Sequence, residues 1–163
     1  MIVVADTSVI LNLALVGQVD LLTALFHEVV VPPAVEMEFA RLAASAGRFA
    51  GLRLPGWVRV QPPATIPAEI VADADLDPGE STALALAAEI HAAAILIDEA
   101  HGRAVATRMG LTPIGILGIL VRAKTHGHLA AVRPVIDALR TQARFRLAES
   151  LVREVLRLAG ESQ

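Results

Sequence analysis

Short runs of consecutive apolar residues alternate along the chain with stretches of helical periodicity. Ile2-Val-Val-Ala5, Glu28-Val-Val-Val31 and Ala94-Ile-Leu-Ile97 lack the in-out alternation of a half-exposed strand and read as strands of a parallel sheet buried on both faces. Trp57 to Gln61, bounded by Pro55-Gly56 and Pro62-Pro63, and Leu111 to Ile114 add two shorter candidates. Between them lie helical patterns. Val9, Leu13 and Val16 follow Thr7-Ser8, which can cap a helix, and a second helical stretch covers Val19 to Phe26. Pro32-Pro33 ends the second strand and starts a helix over Ala34 to about Ala46, since proline is tolerated in a first helical turn. Asp77-Pro78-Gly79-Glu80 combines an N-cap, a proline at the first helical position and a glutamate three residues past the cap, predicting a helix to His91. A helix over Ala100 to Met109 precedes the last strand. From about residue 115 to Ala159 the pattern is helical, broken at Gly127 and Pro134, with Leu147, Leu151, Val155 and Leu158 forming a stripe expected to face the core.

Strands alternating with helices predict an α/β protein with a parallel sheet of about four to five strands covered on both faces. A length of 163 residues suits one domain over 1–163, and a 55% hydrophobic content excludes general disorder. The apolar start has no basic segment and is interrupted at Asp6, so neither a secretion signal nor a membrane span is expected, and a cytoplasmic location is. Cysteine is absent, which removes thiolate ligands and thiol nucleophiles.

The net charge of −3 hides a segregation. Phe39 to Ala68 holds four arginines and no acid, Glu69 to Glu99 eight acids and no Lys or Arg, and Ala100 to Arg146 eight basic residues against Asp137 alone. Folding can therefore set basic walls around an acidic patch, an arrangement suited to a polyanion held together with metal ions. Thirteen of the fourteen basic residues are Arg, whose fork matches phosphate.

Ligands of open parallel sheets bind beyond the carboxyl ends of the strands. Asp6 and Asp98 each follow a four-residue apolar run and belong at that rim, Glu80 opens the helix that enters the strand before Asp98, and Glu36 and Glu38 lie early in the helix leaving Val31. Gathered carboxylates repel and protonate unless a cation joins them, and hard oxygen donors without cysteine select Mg²⁺ or Mn²⁺. Such an ion supports phosphodiester hydrolysis without a Ser, Cys or His nucleophile. Taken singly, Asp6 and Glu80 are also plausible helix caps, Glu36 or Glu38 a solvent-facing acid, and Glu99 competes with Asp98.

VVADTSVILNLA, VVVPPAVEMEF, LDPGESTALALA, AAAILIDEAHGRAVA and LGILVRAKTHG, in this order and spacing, make the chain resemble the PIN-domain ribonucleases, specifically their VapC-like toxin branch. The resemblance implies a Rossmann-like three-layer α/β/α fold and cleavage of single-stranded RNA by an acidic quartet holding Mg²⁺ or Mn²⁺. Asp6 matches the first acid, Glu38 before Phe39 the second with Glu36 the alternative, Glu80 the third and Asp98 the fourth; Glu80 stands where Asp is more frequent. Thr7 and Ser8 follow the first acid as in the family, with Asn12 one turn on. The resemblance further implies a type II toxin, a small antitoxin partner covering the cleft, and a homodimer.

Arg41, Arg103 and Arg108, nearest in sequence to the acids, are candidates for steering the RNA backbone. The five histidines show no metal-ligand spacing and are expected at the surface, and only five aromatics with no Tyr argue against base stacking as the main device. Two rival readings are a PIN-like interaction module without turnover, hinted at by Glu80, and a phosphoacceptor domain. The latter needs a phosphate-binding lysine, and the sole Lys124 is remote from every strand-end acid.

Overall fold

The computed structural model describes residues 1–161; residues 162–163, the end of the expected domain, lie outside the described residues. Five strands form an all-parallel sheet: β1 (Ile2–Ala5), β2 (Glu28–Val31), β3 (Arg59–Val60), β4 (Ala94–Leu96) and β5 (Pro113–Ile114), in the order β3-β2-β1-β4-β5. The helices are α1 (Thr7–Leu15), α2 (Leu21–Leu25), α3 (Pro33–Ala44), α4 (Ala68–Val71), α5 (Pro78–Glu89), α6 (Ala100–Arg108), α7 (Ile116–Thr125), α8 (Arg133–Gln142) and α9 (Glu149–Leu158).

Alternate side chains of a strand point to opposite faces, and here both faces are covered. Val3, Ala5, Val29, Val31, Ala94 and Leu96 pack with α1, α2, α3 and the C-terminal helices, whereas Val4, Val30, Ile95 and Ile97 pack with Ile70, Leu76 and the apolar sides of α5 and α6. The result is a three-layer α/β/α protein. The absence of alternation in β1, β2 and β4 is explained by this double burial.

The chain builds the sheet outward from β1 through β2 to β3, then returns to the other side of β1 to add β4 and β5. The direction of winding thus reverses between β1 and β4, whose register pairs Ala5 with Leu96, and the Asp6 amide extends that pairing by donating to the Leu96 carbonyl at 2.9 Å. A reversal of this kind opens a crevice at the strand ends.

Some expected elements differ. β3 is two residues long rather than five, because its residues are exposed and pair only with β2. Pro134 does not break a helix but occupies the first turn of α8, where its missing N–H costs nothing. The stripe on α9 is displaced: Val152, Val155 and Leu156 are buried, while Leu151 and Leu158 are 48% and 56% exposed. The short α4 inside the acidic segment lacks enough residues to show a period. Among the described residues no helix is long and apolar enough to cross a membrane.

Candidate metal centre

Asp6 leaves β1 at the crevice and takes the N-cap position of α1 with extended backbone, yet its side chain makes no capping hydrogen bond. Its carboxyl is therefore available to the crevice. It is only 7% exposed, and burial, reinforced by the charges of Asp77, Glu38 and Asp98, pushes its pKa up to about 7 against a lowering by the Thr7 amide. Thr7 is buried, and its hydroxyl has no aligned hydrogen-bond partner although it lies near enough to Glu38 to favour that carboxylate's charged form.

The α3 helix separates its two acids by direction. Glu36 is exposed, whereas Glu38 is half-buried and raised in pKa by burial and by Asp77. Arg41, one turn along, opposes that rise. Glu80 sits in a reciprocal capping box: Asp77 Oδ1 accepts from the Glu80 amide at 2.7 Å and Glu80 Oε1 accepts from the Asp77 amide at 3.4 Å. Capping occupies one carboxyl oxygen only. Glu80 Oε2 is buried without a partner, and desolvation together with Asp77 pushes the group up to about 8. Asp98, just past β4, accepts from the Ile116 amide through Oδ1 at 3.0 Å while Oδ2 is buried and unpartnered. Burial raises its pKa against that hydrogen bond and the nearby Arg103.

Three glycines make room for these oxygens. A Cβ on Gly79 would stand 3.2 Å from Glu38 Oε2, 3.3 Å from Asp77 Oδ1 and 3.5 Å from Asp6 Oδ1, so acids from three separate elements surround one bare backbone position. A Cβ on Gly102 would lie 2.5 Å from Ile97 Cδ1 and 3.1 Å from Glu80 Oε2, and one on Gly115 would lie 2.6 Å from Asp98 Oδ1 and 2.7 Å from Arg103 Nη1. Neither Asp77 nor these glycines was a candidate in the sequence. Asp77 reads there as a cap, and the available signal was an acid three residues before another with a glycine between.

Of the other candidates only Arg103 adjoins one of these acids. Asn12 is buried and its amide donates to the Ser8 carbonyl at 2.9 Å, while Ser8 is half-buried. Glu99 is exposed and caps α6 by accepting from the Gly102 amide. Arg103 donates to the Ile97 carbonyl at 3.2 Å beside Asp98. Arg108 is exposed at the far end of α6, where its charge acts on Asp73.

A second donor group was not anticipated. Asp73, Asp75 and His101 each offer one ligand atom within 4.8 Å of the others, a set that can hold a metal. His101 is half-buried rather than free at the surface because its Nε2 pairs with Asp73 Oδ2 at 2.8 Å.

Two hollows reach acids of this group. One, about 560 Å³, is lined by Glu38, Arg41, Met37 and the Asp77–Gly79 turn; the other, about 620 Å³, is lined by Asp98 and Arg103 and by residues of α7 and α9. The donor set consists wholly of hard oxygens, with three buried oxygens lacking partners, so it fits a hard divalent cation.

The family model described as PIN domain matches residues 2–161. Among solved structures, a PilT N-terminus domain protein from the hyperthermophilic archaeon Sulfolobus solfataricus P2 is similar in fold, with a TM-score of 0.56 and 21% identity over 79% of this chain and 98% of that one. No curated protein matches.

Proposed function

Because the chain belongs to the PIN-domain family, whose members are in general metal-dependent nucleases, we propose that it is a Mg²⁺- or Mn²⁺-dependent endoribonuclease acting on single-stranded RNA, with Asp6, Glu38, Glu80 and Asp98 as its metal-holding catalytic acids. The observation that supports this reading is that Glu38, Asp77 and Asp6 meet around Gly79, while Glu80 Oε2 and Asp98 Oδ2 are buried without partners. When bound, a divalent ion acidifies an attacking water and stabilises charge on the phosphodiester oxygens.

The chain's own groups prepare that chemistry. Asp6 and Glu80, with pKa values near 7 and 8, hold protons for part of the time at neutral pH and would yield them on holding a cation. The Asp77 and Ile116 amides donate to one carboxyl oxygen of Glu80 and of Asp98 respectively, which leaves the second oxygen of each acid buried and free to take a ligand. Thr7 supplies a buried hydroxyl beside Asp6 and Glu38 that can fix either acid or a water. Arg41 lines the hollow at Glu38 and Arg103 the hollow at Asp98, and both offset the repulsion that an RNA strand meets at the acids.

The VapC-like segments support a narrower reading as the cytoplasmic toxin of a type II pair, dimeric and covered by a small antitoxin. The test is cleavage of single-stranded RNA by the purified chain with Mn²⁺ or Mg²⁺. Activity should vanish in chelator and in Asp6→Asn while folding persists. Undiminished cleavage in chelator refutes the metal mechanism, and clean metal binding without cleavage of any RNA favours the interaction module.

A further inference from the structure

The hollow beside Asp98 differs in chemistry from the acid cluster it adjoins. Its volume of about 620 Å³ falls within the roughly 300–1,000 Å³ of small-molecule sites. Its lining is mixed: Leu117 on α7, Leu151 on α9 and Phe145 from the link before α9 are apolar. Arg103, Arg122 and Arg146 line the same space. Arg122 and Arg146 are exposed, and among the described residues neither makes an ion pair.

Two details shape this space. Gly118 lies inside α7, where glycine costs about 1 kcal/mol relative to Ala, and it lets the helix pass Ile114 closely, since a Cβ there would stand 3.2 Å from Ile114 Cγ2. Leu151 is 48% exposed although the next three apolar positions of α9 reach the core. The cavity is also continuous with the crevice through Asp98 and Arg103, which Gly115 allows to approach the same spot.

We propose that this cavity seats one nucleotide of the RNA strand beside the position of cleavage, with its base against Leu117, Phe145 and Leu151 and its phosphates on Arg122 and Arg146. The proposal rests on the ribonuclease reading, since the strand must reach the acid cluster. It gives the chain a base-contacting surface built mainly from leucines, which the scarcity of aromatic residues does not preclude. A nucleotide fits better than an acidic protein segment because the cavity opens directly onto the point where a scissile phosphate would lie.

The test is binding of a short single-stranded RNA and of an abasic strand of equal length to the full chain, in chelator at low salt. Arg122→Ala and Arg146→Ala should each weaken both strands, by about tenfold at low salt, and lower the salt slope by about one. Leu151→Asn, at an exposed position, should weaken the RNA by about fivefold or more and leave the abasic strand unchanged. Equal losses on both strands for Leu151→Asn, or none, overturn the base pocket. So does a change from dimer to monomer in Leu151→Asn without a change in RNA affinity, which marks the face as an interface between copies. Metal-dependent cleavage by the wild type with pocket variants that bind normally refutes the pocket alone. The expected binding pattern without cleavage refutes only the ribonuclease reading, and no RNA binding by the wild type refutes both.

Discussion

Two groups of acids in this protein behave in opposite ways. Asp73 and Asp75 gather with His101 inside 4.8 Å, yet Asp73 has its pKa lowered, first by the His101 hydrogen bond, and accepts from the Asp75 amide as well. Asp6, Glu38, Glu80 and Asp98 come from four separate elements and are all raised, chiefly by burial. The first group is compact and already compensated; the second is buried, mutually repelling and short of partners. Closeness of donors and uncompensated burial are different properties, and the second group is the one whose burial is uncompensated.

The comparison breaks most visibly in activity. Asp98→Asn or Glu38→Gln should lower metal-dependent RNA cleavage by more than about 100-fold, beyond what loss of an outer-shell partner usually costs, whereas Asp73→Asn should leave the rate within about twofold. Equal losses in Asp73→Asn, measured by initial rates on one RNA, would move the centre to the His101 group.

A middle-sized effect should come from the glycines. Gly102→Ala forces a Cβ against Ile97 and toward Glu80, an overpacking expected to cost about 1–3 kcal/mol in urea unfolding. Gly115→Ala meets the side-chain ends of Asp98 and Arg103 instead and must displace the Asp98 oxygen that the Ile116 amide holds, so it should reduce cleavage more than stability. A stability loss in Gly115→Ala as large as in Gly102→Ala would show that Asp98 cannot yield to the added methyl group.

The smallest effect is the pH dependence of the metal-free protein. Asp6 and Glu80 hold protons in the folded state up to about pH 7 and 8, well above their ordinary values of 3.8 and 4.5. The folded state then binds more protons than the unfolded one, so stability should fall as pH rises from about 5 to about 8. Asp73 has the opposite sign: its contribution is present above its ordinary value and is lost only in acid. Melting temperatures should therefore decline across that window in chelator, decline less in Asp6→Asn, and be nearly unaffected in slope by Asp73→Asn. A flat profile in the wild type would mean that these acids are not held protonated.

Much of this arrangement was legible in the chain. β1, β2 and β4 are visible because strands covered on both faces contain no polar alternation, and Asp6 and Asp98 are placed by the rule that ligands gather beyond strand ends. The capping box at Asp77-Pro78-Gly79-Glu80 is local chemistry and appears as expected. Three things were hidden for a common reason, namely that they depend on contacts between distant segments. Choosing Glu38 over Glu36 requires the roll of α3 against the sheet. The share of Asp77 in the cluster requires knowing that Gly79 is bare beneath Glu38 and Asp6. The pairing of His101 with Asp73 joins residues 28 apart in sequence, and no spacing rule on one helix can reveal it.

The most direct test of the central claim is Mn²⁺ binding to the full chain at neutral pH, followed by isothermal titration calorimetry in wild type, Asp6→Asn and Asp73→Asn. The account predicts a site present in the wild type, lost in Asp6→Asn and kept in Asp73→Asn, with proton release on binding. A site that survives Asp6→Asn and disappears in Asp73→Asn would contradict it.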